Sequence, residues 1–233
     1  MATILRFSRG GCQAAGRPLS LPALAWSAVS EALVIFKPDS AHRLAARAAL
    51  WEWLASERDW KLQGLTWFQP PRELVESHYD FLADRPFFPW LVQFMTALPV
   101  LVGRLEAEPE ALVQMRHVLG ETQVPKARPG SLRERYGIGG GVNVMHLSDA
   151  AETGAKEVQN WSRFVSLDAI QPPEANDGRP DHTFHLRSLA GQYSAGVHRE
   201  LAAAEIRRLL AEESDLSPEQ LSSLGRIVLA AFE

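Results

Sequence analysis

His146 lies in the stretch GGGVNVMHLSD, between an apolar run and a Ser-Asp pair, and Glu157 follows eleven residues further on. A histidine with a carboxylate placed on an adjoining helix suits an activated nitrogen nucleophile, with Ser148 adding a hydroxyl hydrogen bond. Lys37, Arg116, Thr122, Arg133 and Asn143 fall in or beside other short polar stretches: FKPDS, RHVLGET, SLRERYG and NVMH. Two arginines, a lysine and a hydroxyl suit an anionic phosphate chain, because guanidinium forks bind its oxygens and an ammonium adds a point charge. Taken singly, each has a plainer explanation. A lone histidine beside a strand end is commonly a satisfied structural residue, Lys37 can be a turn residue, and Arg116 can be a solvated residue on a helix face. The chemistry is argued by the set.

These side chains need elements to carry them. The continuous apolar run EALVIFK (31–37), closed by PDS, predicts a buried strand. KLQGLTWFQ (61–69), stopped by Pro70-Pro71, and PVLVGRLE (99–106) predict two more, and GGGVNVMH (139–146) a last one. Between them, HRLAARAALWEWLAS (42–56), RELVESHYDFLA (72–83) and FPWLVQFMTAL (88–98) have helical spacing, and Pro109 starts a helix running to about Leu119. Asp149 with Glu152 three residues on predicts a capping box for the helix bearing Glu157 and Trp161. The order βαββαβ, with short extra helices, predicts a ferredoxin-like α/β sandwich (α+β) around a four-stranded antiparallel sheet. Every candidate site residue then falls at a strand or helix end or in the 120–133 loop.

Three segments follow from the composition: an N-terminal extension (1–30), the domain carrying the candidate site (31–168), and a tail (169–233). The tail opens with a Pro-, Asp- and Gly-rich linker, AIQPPEANDGRPDHTFH. A helical hairpin is expected after it, with Val197, Leu201 and Leu209 on the first helix. The second, SPEQLSSLGRIVLAAF, begins at a Ser217 cap with Pro218 and Gln220.

At 233 residues and 46% hydrophobic content the chain can bury a sizeable core. Its net charge of −4 gives no basic field for nucleic acid or an anionic membrane, and no apolar run reaches the roughly 18 residues of a membrane span. A single cysteine, Cys12, excludes an internal disulfide framework. The expectation is a cytoplasmic protein. The alternative is an organelle, if residues 1–30, with Arg6, Arg9, Arg17 and no acidic residue, are a transit peptide.

The motifs ALVIFKPDS, HYDFLADRPFF, RHVLGET, KARPGSLRERYG and NVMHLSD, in this order and at these spacings, resemble nucleoside diphosphate kinases over about residues 31–168. The resemblance implies that His146 is phosphorylated by a nucleoside triphosphate such as ATP and passes the phosphoryl group to a nucleoside diphosphate. Glu157 and Ser148 would orient and polarise the imidazole, and Arg116, Thr122 and Arg133 would bind phosphates. Lys37 and Asn143 would reach the sugar hydroxyl, with Lys37 also near the transferred phosphoryl. Tyr79 would stand against the histidine and Phe87 would stack on the base, although for both a core aromatic is the competing explanation. Mg²⁺ would arrive on the nucleotide phosphates, since no cluster has the spacing of a dedicated metal site. Homo-oligomeric assembly is implied as well.

The chain departs from the family pattern around the nucleophile. Leu147 replaces the glycine of HGSD and would be strained if the backbone there needed positive φ. Gly140 and Val142 replace a valine that packs on the base and an arginine, and GETQV replaces GETNP in an assembly loop. Two readings compete with a kinase: a nucleotide-binding interaction module whose extensions recruit a partner, and a relay that hands the phosphoryl group to another protein.

Overall fold

The computed structural model describes residues 29–56 and 59–233. Cys12 and nearly all of the 1–30 extension, with its transit-peptide reading, lie outside the described residues.

Four strands, β1 (Ser30–Phe36), β2 (Trp60–Phe68), β3 (Val100–Ala107) and β4 (Met145–Leu147), form one sheet in the order β2-β3-β1-β4. Every neighbouring pair is antiparallel, with Ile35 opposite Val102 on one side and His146 on the other. This is the predicted ferredoxin-like arrangement. The helices in chain order are α1 (Pro38–His42), α2 (Leu44–Leu54), α3 (Arg72–His78), α4 (Phe88–Thr96), α5 (Pro109–Leu119), α6 (Leu132–Tyr136) and α7 (Ala151–Trp161). In the tail come α8 (Thr183–Ser194), α9 (Arg199–Glu213) and α10 (Pro218–Ala230). Pro38, Pro109 and Pro218 each open a helix, where the missing N–H costs nothing. None of the described helices is long and apolar enough to cross a membrane.

The apolar runs of β1 and β3 are continuous because both faces of the sheet are covered. Ala32, Val34, Phe36, Leu101 and Leu105 pack with Leu50, Leu54, Leu112 and Met115 of α2 and α5. Leu33, Ile35, Val100 and Val102 belong to the opposite core, with Leu74, Val92, Phe94 and Trp161 of α3, α4 and α7. Burying such side chains contributes about 25 cal/mol per Å² of apolar surface, the main term holding these layers together.

Three differences from the sequence reading have physical causes. The last strand is only Met145–Leu147: Gly139 (φ 152°) and Gly140 (φ 54°) make a tight turn closed by Gly139–Val142 hydrogen bonds, and Val144 (φ 70°) breaks the extended chain again. The tail holds three helices where two are predicted, because α8 buries only a sparse stripe of Thr183, Leu186 and Ala190 and begins inside the linker sequence at Thr183. On the first predicted tail helix, Val197 and Leu201 are exposed and Leu209 is buried. At α7 the cap is shifted by one position. Thr153 Oγ1 accepts from the Ala150 amide (3.1 Å) and donates to Asp149 (2.5 Å), while Glu152 pairs with Lys156 instead. The linker also does more than connect: the Leu65 amide donates to the Ala169 carbonyl and the Gln171 amide to the Leu65 carbonyl, covering part of the outer edge of β2.

Candidate active site

Side chains alternate across a strand, so β4 sends Met145 and Leu147 into the core under α2 and α5 and turns His146 toward the opposite face. There α7 brings Glu157. The approach of α7 to β1 is close enough that a Cβ on Gly154 would lie 2.1 Å from the Glu31 carbonyl oxygen, so only glycine fits one turn before Glu157. Glu157 Oε2 lies 2.9 Å from His146 Nε2 and accepts from Ser148 Oγ at 2.5 Å. Ser148 is fully buried and anchored, its Oγ accepting from the Leu33 amide at 2.8 Å. Burial of Glu157 opposes its ionisation, but the hydrogen bond and charge of His146 outweigh it and hold the carboxyl below its ordinary pKa. A carboxylate facing Nε2 fixes the tautomer with the proton on Nε2, which leaves Nδ1 as the lone-pair nitrogen. Nδ1 has no hydrogen-bond partner among the described residues, and the side chain keeps 18% exposure, enough to meet a ligand.

The cationic groups are tied to the chain on either side of His146: Arg133 to the Met145 carbonyl, Arg116 to the Leu147 carbonyl and Lys37 to Asn143. Lys37, at the end of β1, donates to Asn143 Oδ1 (2.7 Å) and to the Gly141 carbonyl (3.3 Å). Its burial, then the like charge of Arg133, lowers its pKa to about 8 despite the attraction of Asp39. Asn143 in turn donates to the Thr122 carbonyl at 2.8 Å. Arg133, on α6, is buried and lowered to about 10 by burial and by Arg116. Its Nε donates to the Asn143 carbonyl, its Nη1 to the Gly120 carbonyl and Thr122 Oγ1, and its Nη2 to the Met145 carbonyl. One Nε, two Nη1 and one Nη2 protons are so committed, leaving one of the five for a phosphate. Arg116, half-buried on α5, is freer and donates only to the Leu147 carbonyl beside His146 (2.8 Å). Thr122 is exposed at the rim.

Leu147 faces away from the imidazole and has no positive φ; the strained backbone lies at Val144. The strand is extended there, so the condition under which Leu147 would be strained is not met. Tyr79 is buried, 6.2 Å from the His146 ring between centroids, with a hydroxyl that lacks a partner among the described residues. Burial, reinforced by Glu157, pushes that phenol well above its ordinary pKa, so it can act only as a neutral hydroxyl. Phe87, by contrast, is 49% exposed at the start of α4, which removes the core-aromatic explanation for it.

Three contributors escaped the sequence reading. His78 fits the apolar stripe of its helix, yet its ring packs edge-on 4.6 Å from that of His146, and burial holds it neutral, at about 3. Asp39 and Ser40, read as a turn after the strand, clamp Val144 through its amide and carbonyl. Their signal was the unbroken FKPDS motif. The ligand atoms of His78, His146 and Glu157 lie within 4.8 Å of one another. Two imidazoles and one carboxylate do not fit Mg²⁺, a hard cation that takes oxygen ligands.

A βαββαβ sandwich with a carboxylate-braced histidine on one strand, and a lysine and two arginines bonded to the chain around it, is an arrangement suited to phosphoryl transfer. The nucleoside diphosphate kinase family model matches residues 30–164. A nucleoside diphosphate kinase of Synechococcus elongatus is 33% identical over 147 residues, covering 63% of this chain and 91% of the relative. One of Trichormus variabilis is 40% identical over 111 residues, covering 48% and 74%. Among solved structures, the Aquifex aeolicus nucleoside diphosphate kinase superposes with a TM-score of 0.51 at 30% identity, covering 61% of this chain and all of that one. The chain belongs to the nucleoside diphosphate kinase family, and its class of activity is that of a nucleoside-diphosphate kinase.

Proposed function

We propose that the chain moves the γ-phosphoryl group of a nucleoside triphosphate to a nucleoside diphosphate through a phosphohistidine on His146. The observation that carries this reading is the hydrogen bond from His146 Nε2 to Glu157, which leaves Nδ1 as the nitrogen without a partner among the described residues. Nδ1 attacks the γ-phosphorus in line; a P–N bond forms and the bond to the β-phosphate oxygen breaks, releasing the diphosphate. The ring gains positive charge as it loses its lone pair, and the Glu157 carboxylate, held by Ser148, stabilises that charge. An acceptor diphosphate oxygen then attacks the same phosphorus, the P–N bond breaks, and His146 returns to its neutral state.

Arg116, Thr122 and the remaining proton of Arg133 serve the phosphate oxygens, Lys37 the transferred group, and Lys37 with Asn143 the sugar hydroxyl. Tyr79 completes the wall behind the imidazole, and Phe87 offers its exposed ring to the base. Mg²⁺ carried on the nucleotide phosphates would supply further charge neutralisation. We assign the chain to the cytoplasm, with an organelle as the alternative that residues 1–30 leave open. Assembly into a homo-oligomer is part of the same proposal, supported by the exposed apolar side chains of Phe184 and Leu201 on α8 and α9.

Incubation with labelled ATP and Mg²⁺ should give an acid-labile phosphoprotein that GDP discharges, and His146→Ala should carry no label. Equal label on His146→Ala would overturn the reading. Label on the wild type that GDP cannot remove would turn the protein into a relay.

A further inference from the structure

Glycines 139–141 sit beside Lys37, whose Nζ donates to the Gly141 carbonyl. On the proposed function, a nucleotide with its γ-phosphate at His146 and its sugar at Lys37 and Asn143 has its base near this loop, which Lys37 touches. The loop has no side chain to offer, and at Gly139 and Gly141 the space where one would stand is taken by other elements. A Cβ on Gly141 would lie 2.5 Å from the Trp90 ring, and one on Gly139 2.9 Å from Cε1 of Phe232. At Gly140 it would face the Ala231 carbonyl oxygen at 3.6 Å. Ala231 and Phe232 follow directly on α10, so the end of the tail lies against the base side of the cleft.

The tail is fixed there. Trp90 donates its indole N–H to the Ile227 carbonyl at 2.9 Å and stacks on Phe94 with centroids 5.2 Å apart. At the chain end, Tyr193 donates to the Glu233 carboxylate at 2.8 Å, and Arg199 pairs with it at 3.6 Å. Phe232 itself is only partly buried, which leaves ring surface for a ligand. Phe87 stands one helical turn before Trp90, so α4 and the end of α10 flank the loop from two sides.

We infer that the end of α10, through Phe232 and the Ala231 carbonyl, forms the second wall of a base slot opposite Phe87, in place of the side chain that Gly140 lacks. This deepens the proposed function and rests on it. Base recognition in this chain is then supplied by the tail: a planar ring for stacking and a free carbonyl for an exocyclic amino group. Purines, with the larger face, gain more than pyrimidines.

The test is equilibrium binding to the full chain by calorimetry, using ADP, CDP and ribose 5-diphosphate, which has no base. Phe232→Ala should weaken ADP roughly 10-fold and CDP less, as expected for a lost stacking partner, and leave ribose 5-diphosphate within about twofold. Phe232→Trp should retain ADP affinity, which guards against a variant that merely folds badly. Unchanged ADP affinity in Phe232→Ala would overturn the inference. So would an equal loss for ADP and ribose 5-diphosphate, or tighter ADP binding, which would mean that the tail obstructs the cleft. If the wild type binds ADP but forms no phosphohistidine, the proposed reaction fails while the Phe232 comparison still decides the slot; if it binds no nucleotide, both fail.

Discussion

Lys37 is held where water reaches it poorly, and Arg133 adds a like charge, so its ammonium loses its proton near pH 8 instead of above 10. Its service to a phosphate is therefore present below that pH and lost as pH rises through it. In the free enzyme, kcat/KM should fall above about pH 8. In the saturated complex the phosphate charge favours the ammonium, so the limb in kcat should lie higher. Lys37→Gln should lower kcat/KM by roughly 10- to 100-fold, the worth of a charge-assisted hydrogen bond, and flatten that limb. Lys37→Arg should flatten it with a smaller loss. A Lys37→Gln profile that keeps the wild-type limb would assign the titration elsewhere. At this scale much of the candidate site is legible, because Lys37, Arg116, Thr122, Arg133, Asn143, Ser148 and Glu157 are of types that the proposed phosphate and histidine chemistry would require. His78 was not, since an imidazole at a core spacing looks like any core residue until the fold shows what it touches. Arg133 was legible only by half: no sequence pattern shows that its donors are spent on carbonyls.

The segment between α6 and β4 depends on one strained residue. Val144 has φ 70°, a conformation whose cost is of order 1–3 kcal/mol for a β-branched side chain. Three groups of the β1–α1 corner hold it there. The Lys37 amide and Ser40 hydroxyl donate to its carbonyl, and its amide donates to Asp39 Oδ2 at 3.1 Å. The strain aims Asn143 at Lys37 and starts β4 in the register that places His146 opposite Ile35. Asp39→Ala would strand the buried Val144 amide, so it should cost about 1–3 kcal/mol of stability and lower kcat with it. Asp39→Asn keeps an acceptor and should retain most of that stability. Thermal melts and steady-state rates on the two variants check this, and an alanine variant indistinguishable from wild type would refute it. The apolar run through Val142, Val144 and Met145 reads as one strand in the sequence because positive φ at a valine has no signature in composition. The strands from β1 to β3 were legible because nothing in them opposes their pattern.

Across the whole molecule, the tail and the kinase core are joined by charges as well as by apolar packing. Arg43, at the α1–α2 junction, and Glu213, at the end of α9, are each 1% exposed and pair with one another 170 residues apart. Arg43 also donates to the Tyr136 carbonyl (2.9 Å), Thr183 and Asp181, and Glu213 accepts from the His182 amide. Leu186, Ile206, Leu210, Leu224 and Val228 share one apolar cluster with β1 and β3. A tail read from sequence as a hairpin after a linker is therefore part of the core. Local periodicity could not show this, because an arginine and a glutamate so far apart each look solvated until they meet. A buried pair is costly to break and not especially valuable to have, since two desolvated charges roughly offset their attraction. Glu213→Ala leaves the Arg43 charge buried with Asp181 as its one remaining ion-pair partner among the described residues and should cost about 3–5 kcal/mol. At about 2–4 °C per kcal/mol for a chain of this size, the melting temperature should drop by on the order of 10 °C. The double variant Arg43→Met with Glu213→Leu removes both charges and fills their volume, so it should recover most of that loss. If instead the double variant melts as low as Glu213→Ala, the pair itself, rather than the orphaned charge, holds the tail to the core.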